Sequence, residues 1–335
     1  MTRWFVPGRI EVLGKHTDYG GGRSLLAATE QGLTLSATPA RDVSLKSDVQ
    51  GHHYVESVVT RLRADYQVSS GAQVTVTSTL PAAAGLSSSS ALVTGLVLTL
   101  ADLWSIDLPS GSELVEYVAS VERGVGVRGG AEDHAAMLLT RAGHLLPCRF
   151  RPVRPEPHVP WREDLSFVVA VSGVVAEKAL GTRERYHRTA RVLERIEAAG
   201  VPLDRLVDDP SEWQAWRQGL DMREARRLEQ FVVESGQLIP HAVASLQRDD
   251  WEGFADAVQI SHRLGVAALE NAVPETEDLV ARAHSLGAEV ASPFGAGFGG
   301  SVYAVVPLEE VEQFAAEWHD RTLITRPGGP ATRLD

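Results

Sequence analysis

Three short stretches hold most of the residues whose types and spacing could do chemistry. The first, PGRIEVLGKHTDYGGG from Pro7 to Gly22, sets Arg9, Lys15, His16 and Asp18 beside turn glycines. Its Gly-Lys pair suggests a Walker phosphate loop. That motif needs Gly-x-x-x-x-Gly-Lys-Ser/Thr, and here Arg9 stands at the first glycine and His16 at the hydroxyl residue. The second stretch, LPAAAGLSSSSALVTGL from Leu80 to Leu96, reads as a strand end, a turn of small residues, four serines and a helix. The free amides and dipole of a helix N-terminus favour an anion, and Gly85 with its neighbouring alanines lets the backbone approach one closely. Ser87, Ser88, Ser89 and Ser90 add hydroxyls for phosphate oxygens or a Mg2+ ion. A single serine would be explained as a helix cap; four after Gly85-Leu86 read better as a phosphate cradle. The third stretch, SPFGAGFGGSVYAVV from Ser292 to Val306, places Gly295, Gly297, Gly299 and Gly300 ahead of a strand. A dinucleotide fingerprint has its glycines between a strand and the helix that follows, so this is a different device. It reads as a loop lying against a ligand or against another glycine loop.

The elements that must position these residues follow from periodicity. QVTVTSTL alternates Val74, Val76, Ser78 and Leu80 with threonines and predicts a strand. SSALVTGLVLTLADLW predicts a buried helix, and SGSELVEYVASVERG another, with Ser112 as its cap and Gly124 beyond its end. Pro147, Pro152, Pro155, Pro157 and Pro160 mark the best candidate for a domain boundary. Beyond it LSFVVAVSGV reads as a buried strand, the segment from Lys178 to Leu269 as mostly helical, and the C-terminal part as helix, glycine turn, strand and helix. Two α+β lobes meeting at a cleft are the economical architecture. A net charge of −12 over 335 residues argues against nucleic acid as a partner, while leaving room for an anionic ligand held by amides. The single cysteine, Cys148, excludes an internal disulfide framework and points to a reducing compartment. The first residues lack a signal-peptide core, and the longest apolar run, Ala91 to Leu103, is too short to span a bilayer and contains Asp102. Cytoplasmic residence without membrane contact is the expectation.

In this order the three stretches resemble the three motifs of the galactokinase, homoserine kinase, mevalonate kinase and phosphomevalonate kinase (GHMP) superfamily. GRIEVLGKHTDY is similar to the galactokinase signature Gly-Arg-x-x-x-x-Gly-Glu-His-x-Asp-Tyr, and SVERGVGVRGGAEDHAAML, ERYHRTAR and ISHRLGVAALE resemble further galactokinase segments. The resemblance runs from Pro7 to Val306. It implies the two-lobed α+β GHMP kinase fold, with a ribosomal-protein-like βαβ domain over residues 1–155, an α+β domain over 156–335 and the active site in the cleft between them. It implies a kinase that phosphorylates the anomeric hydroxyl of galactose or a related sugar with ATP and Mg2+, as a monomer or homodimer. Asp133 would be the catalytic carboxylate and Arg9 its partner. Ser89 and Glu122 would bind Mg2+, with the choice open among Ser87 to Ser90. Gly85, Leu86, Ser87, Ser88, Ser89, Ser90, Gly297 and Gly299 would surround the nucleotide, and Lys15, His16, Asp18, Gly130 and Tyr186 would contact the sugar. Phosphoryl transfer asks mainly for positioning and charge neutralisation, and each part required for it is present in this chain.

Two residues depart from the pattern. His134 stands where the family has the glutamine of an Asp-Gln pair, and Lys15 stands where the signature has Glu. A lysine has no acceptor capacity, so a hydroxyl donated to the usual Glu loses its partner, whereas a carboxylate at that end of the sugar would gain one. A uronic acid such as galacturonate or glucuronate is therefore the alternative substrate, set against a Lys15 that turns to solvent or pairs with Asp18 or Glu30. A kinase for mevalonate or homoserine is disfavoured by His-x-Asp-Tyr. A sugar- and ATP-binding sensor without turnover would have no need of both Arg9 and Asp133.

Overall fold

The computed structural model describes residues 1–47, 52–82, 84–125, 129–174 and 182–335, apart from the side chains of 52 and 182–189. The first half builds one sheet around a long hairpin. Strands β1 (Thr2–Leu13) and β2 (Arg23–Ala40) pair antiparallel, and β3 (Val43–Ser47), helix α1 (His52–Tyr66) and β4 (Gly71–Ser78) extend the sheet in the order β1-β2-β4-β3. Strand β4 shows the alternation that its sequence predicts, with Val74 and Val76 buried and Gln73 and Thr77 exposed. Helix α2 (Ser88–Trp104) is buried from Ser90 to Ala101, which accounts for its nearly continuous apolar sequence. Gly95 lets it seat on the sheet, because a side chain there would collide with Leu35. Helix α3 (Gly111–Gly124) begins after Ser110, so the expected cap Ser112 lies inside its first turn. Helix α4 (Glu132–Leu139) completes the layer. The Pro-rich passage folds as β5 (His144–Arg149), β6 (Arg154–Pro155) and β7 (Val159–Pro160), with β5 paired to β2.

A second, four-stranded antiparallel sheet has the order β11-β8-β10-β9. It starts with β8 (Leu165–Val171), every residue of which is buried. Helices α5 (Thr182–Ala198), α6 (Leu203–Asp208), α7 (Trp213–Trp216), α8 (Met222–Val233), α9 (Ile239–Gln247) and α10 (Trp251–Leu269) follow, then α11 (Pro274–Ser285), β9 (Val290–Phe294), β10 (Ser301–Pro307), α12 (Val311–Trp318) and β11 (Thr322–Thr325). Strand β8 reads as an unbroken apolar run because both of its faces are covered. Phe167 and Val169 join the core shared with β1 and α2, while Val168 and Ala170 pack with Leu279, Phe314 and Trp318 under α11 and α12. Tyr303 on β10 donates its hydroxyl to the Val12 carbonyl on β1 at 2.7 Å, tying the sheets together. The last strand, β12 (Thr332–Arg333), returns to pair with β1.

Candidate active site

Arg9 follows a shift in the β1–β2 register between Pro7 and Arg9, the kind of irregularity that re-aims a side chain next to a functional site. Its Nε donates to Asp133 Oδ1 at 2.6 Å and its Nη1 to the Gly85 carbonyl at 2.8 Å, so one buried guanidinium joins the first and second motifs. Asp133 lies in the first turn of α4, where the helix dipole favours a carboxylate. Burial works to raise its pKa, but the Arg9 charge and hydrogen bonds from Ser87 and Arg9 outweigh that and leave it below the ordinary value. Its side chain is 27% exposed against 7% for Arg9, so it remains reachable while its partner is fixed.

The turn after β1 is held by side chains from far along the chain. Gly14 has φ +112, and a side chain there would strike Ser24. Thr17 Oγ1 lies 2.7 Å from both the Gly14 and the Arg23 carbonyl and donates to one of them at a time. From α8, Arg227 donates to the His16 carbonyl and to Tyr19 Oη, and Gln230 Nε2 donates to the Lys15 carbonyl at 3.1 Å. Glu234 begins a short π-helical stretch between α8 and α9, Glu234–Leu238, and accepts from Gly14 N at 2.8 Å and Ser261 Oγ at 2.7 Å. Positions 227, 230 and 234 share one helical face. The sequence reading did not include these three residues; polar side chains at that spacing on an otherwise apolar face were the available signal.

Asp18 sits against Gly130 and α4. A side chain at Gly130 would overlap the Asp18 carboxylate, which is why only glycine serves there. Burial, helped by the nearby Asp133 and opposed by backbone amides, raises Asp18 to about 6. Burial and Arg227 lower His16 to about 4, so its ring is neutral at pH 7. Its Nε2 lies 3.0 Å from the Ala296 carbonyl and its Nδ1 3.1 Å from Tyr19 Oη. The carbonyl can only accept, so Nε2 carries the proton and Nδ1 accepts from the tyrosine. His16 therefore pins the third motif to the first. Tyr186 is on α5, and its side chain is outside the described part of the structure.

The second and third motifs also touch. Ser301 Oγ donates to the Ala84 carbonyl at 2.7 Å, and a Cβ on Gly295 would lie 3.3 Å from Arg9 Nη2. A side chain at Gly297 would strike Asn271, and one at Gly299 would strike Val174. Each of the three loops carries one non-glycine residue in the left-handed region, namely His16, Ser87 and Phe298. Each costs on the order of 1 kcal/mol, a strain that packing from all sides must offset. Ser87 occupies the N-cap position of α2 without making the side-chain cap bond, so the helix-cap explanation fails for it. Its hydroxyl instead helps to lower the pKa of Asp133.

The hydroxyl that reaches Glu122 belongs to Ser90. Ser90 Oγ is 3.0 Å from Glu122 Oε1, 3.1 Å from Oε2 and 3.0 Å from Asp133 Oδ2. One hydroxyl proton cannot serve two carboxylates, so oxygens of Glu122, Asp133 and Ser90 converge with a deficit of positive charge. That oxygen donor set fits Mg2+ bound together with phosphate. Ser89, the expected ligand, is partly exposed at the adjacent position. On the far side of Glu122, His134 Nε2 lies 2.8 Å from Oε2.

Lys15 turns away from both expected partners, Asp18 and Glu30, and from solvent. Its Nζ donates to Ser292 Oγ at 2.7 Å on β9, and its side chain lines a small cavity of about 20 Å³ with His262, Asn271, Thr276 and Glu277. Burial lowers its pKa, opposed by the charges of Glu234, Glu11 and Glu277. Because its Nζ is already bonded to Ser292 and the side chain is buried, Lys15 does not call for a carboxylate on a substrate, and the uronate alternative is not favoured.

A family model of the GHMP kinases N terminal domain matches residues 53–141, one of the GHMP kinases C terminal matches 242–323, and the galactokinase galactose-binding signature matches 2–39. Together they cover more than half of the chain. A galactokinase of Roseiflexus sp. (strain RS-1) is 28% identical, with 95% of this chain and 87% of that protein aligned. A galactokinase of Streptomyces coelicolor is 29% identical over 92% and 85%. The solved Lactococcus lactis galactokinase complexed with galactose has a TM-score of 0.88 at 24% identity, over 99% of this chain and 95% of that one. L. major mevalonate kinase in complex with R-mevalonate has a TM-score of 0.68 at 16% identity, over 97% and 96%. These two likenesses are of fold.

Proposed function

The chain is a galactokinase-like member of the GHMP kinase family, and from that premise we propose that it transfers the γ-phosphoryl of ATP to the anomeric hydroxyl of galactose, giving galactose 1-phosphate and ADP. The observation that carries this reading is the buried Arg9 bonded to both Asp133 and the serine-loop backbone. A sensor would need the loop and the sugar contacts, whereas the charged pair suits turnover.

Asp18, with Gly130 at its back and Tyr186 from α5, takes the sugar, and His16 orders the loop around it. Asp133 orients the anomeric hydroxyl. Because its pKa is held low, it accepts the proton late, as the phosphoryl arrives, and stays ionised across the neutral range. Arg9, bonded to Asp133, steadies the transferring group. The Gly85–Leu86 backbone and the hydroxyls of Ser87 to Ser89 cradle the triphosphate, with Gly297 and Gly299 closing over it. Glu122, with Ser89 or its neighbour Ser90, would hold Mg2+, which would supply positive charge against the triphosphate. The assembly proposed is a monomer or a homodimer. The division of lobes we propose falls after residue 155, giving 1–155 and 156–335, with β12 crossing back to the first sheet. Cytoplasmic residence fits the single reduced thiol, Cys148.

ADP release on adding galactose, with ATP and Mg2+ present, tests the reading. Asp133→Asn is expected to lower kcat by about 10²- to 10⁴-fold while galactose still binds. Wild-type turnover in that variant would remove Asp133 from the mechanism, and no ADP release from the parent enzyme would revive the sensor reading.

A further inference from the structure

We propose that His134 is a positioning residue for Glu122, holding its Oε2 so that the carboxylate stays turned toward Ser90 of the serine loop. This rests on the reading of Glu122 as a metal ligand. Glu122 stands in the last turn of α3, where the helix dipole disfavours a negative charge, and it is buried. Asp133, its neighbour across Ser90, has a helix N-terminus and Arg9 to hold it. Glu122 has His134. That imidazole has no exposed surface, and its Nδ1 lies 2.9 Å from the hydroxyl of the fully buried Thr94. An ionised carboxylate only accepts, so Nε2 carries the ring proton and donates to Oε2, while Nδ1 accepts from Thr94. Ser90 and Thr94, one turn apart on α2, thus grip Glu122 from two directions, one directly and one through the ring. The arrangement is the outer shell that orients a metal-binding side chain. It also gives the histidine a purpose at the place where the family resemblance leads one to expect glutamine: a glutamine amide could donate the same single bond.

The test measures Mn2+ binding to the enzyme–ADP complex by electron paramagnetic resonance, for the parent, His134→Leu, His134→Gln and Glu122→Gln. ADP affinity in chelator and the KM for galactose are measured alongside. His134→Leu is expected to weaken Mn2+ binding by about 10- to 100-fold, with metal-free ADP affinity and galactose KM unchanged, and His134→Gln to restore most of the loss. Parent-like Mn2+ affinity in His134→Leu, with Glu122→Gln impaired, would show that the ring merely packs. Equal losses in Mn2+, ADP and galactose binding would likewise overturn the proposal by revealing general damage. Unchanged Mn2+ binding in Glu122→Gln would remove the ligand role itself, and the positioning role with it.

Discussion

Asp18 shows how burial writes a pH dependence into a binding residue. On the proposed reading its carboxylate accepts hydrogen bonds from sugar hydroxyls, yet burial raises it to about 6. Below that value the protonated form loses acceptor capacity. The KM for galactose should therefore rise as pH falls, roughly tenfold by pH 5 for a single titration, while in Asp18→Asn the KM should be high and flat across the same range. A parent KM that stays constant from pH 7 to pH 5 would show that another group binds the sugar. Lys15 teaches a different lesson at the same scale. Its chemistry was legible in the sequence as an exchange of acceptor for donor, but its direction was not. The carboxylates and hydroxyl that claim its ammonium come from α8–α9, β1, α11 and β9, and no local pattern announces them.

Helix α8 is the element on which the first loop depends. Arg227, Gln230 and Glu234 satisfy backbone groups of residues 14–16, which a turn cannot satisfy for itself once buried. Arg227→Leu would remove a donor from the His16 carbonyl and from the Tyr19 hydroxyl, which keeps its bond to His16 Nδ1. We expect a loss of about 1–3 kcal/mol in stability by denaturant titration, together with a higher KM for galactose and an unchanged KM for ATP. An equal rise in both KM values would mean that the helix supports the whole cleft rather than this loop. The strands and helices themselves were largely readable, because period-two and all-apolar patterns survive in β4, β8 and α2. The serine chosen for Glu122 was not, since Ser89 and Ser90 differ only in which way the first turn of α2 faces.

Across the whole molecule, the site lies where the core shared by both sheets gives way to charge. Glu11 on β1, packed among Arg9, Lys15 and Glu132, is driven by burial to about 8. Native Glu11 thus holds a proton that the unfolded chain releases near the ordinary value for glutamate. The associated stability is complete at low pH and is lost as pH rises through about 8. Glu132, also raised by burial, adds in the same sense. In calorimetry the Tm should fall between about pH 4.5 and about pH 8, and Glu11→Gln should flatten that slope; an unaltered slope in the variant would assign the effect elsewhere. Two lobes and a cleft could be anticipated from the alternation of elements and the family resemblance. The return of β12 to the first sheet could not, because two residues of strand carry no periodicity.

The partners of the first loop lie 220, 277 and 280 residues away, at Glu234, Ser292 and Ala296. During synthesis at about 5–20 residues per second, that loop leaves the ribosome some fifteen seconds to a minute before the last of them exists. Until then Lys15 and His16 lack the partners that Ser292 and Ala296 give them in the folded protein. Refolding from denaturant should follow the same chronology, with helical signal first and catalytic competence last.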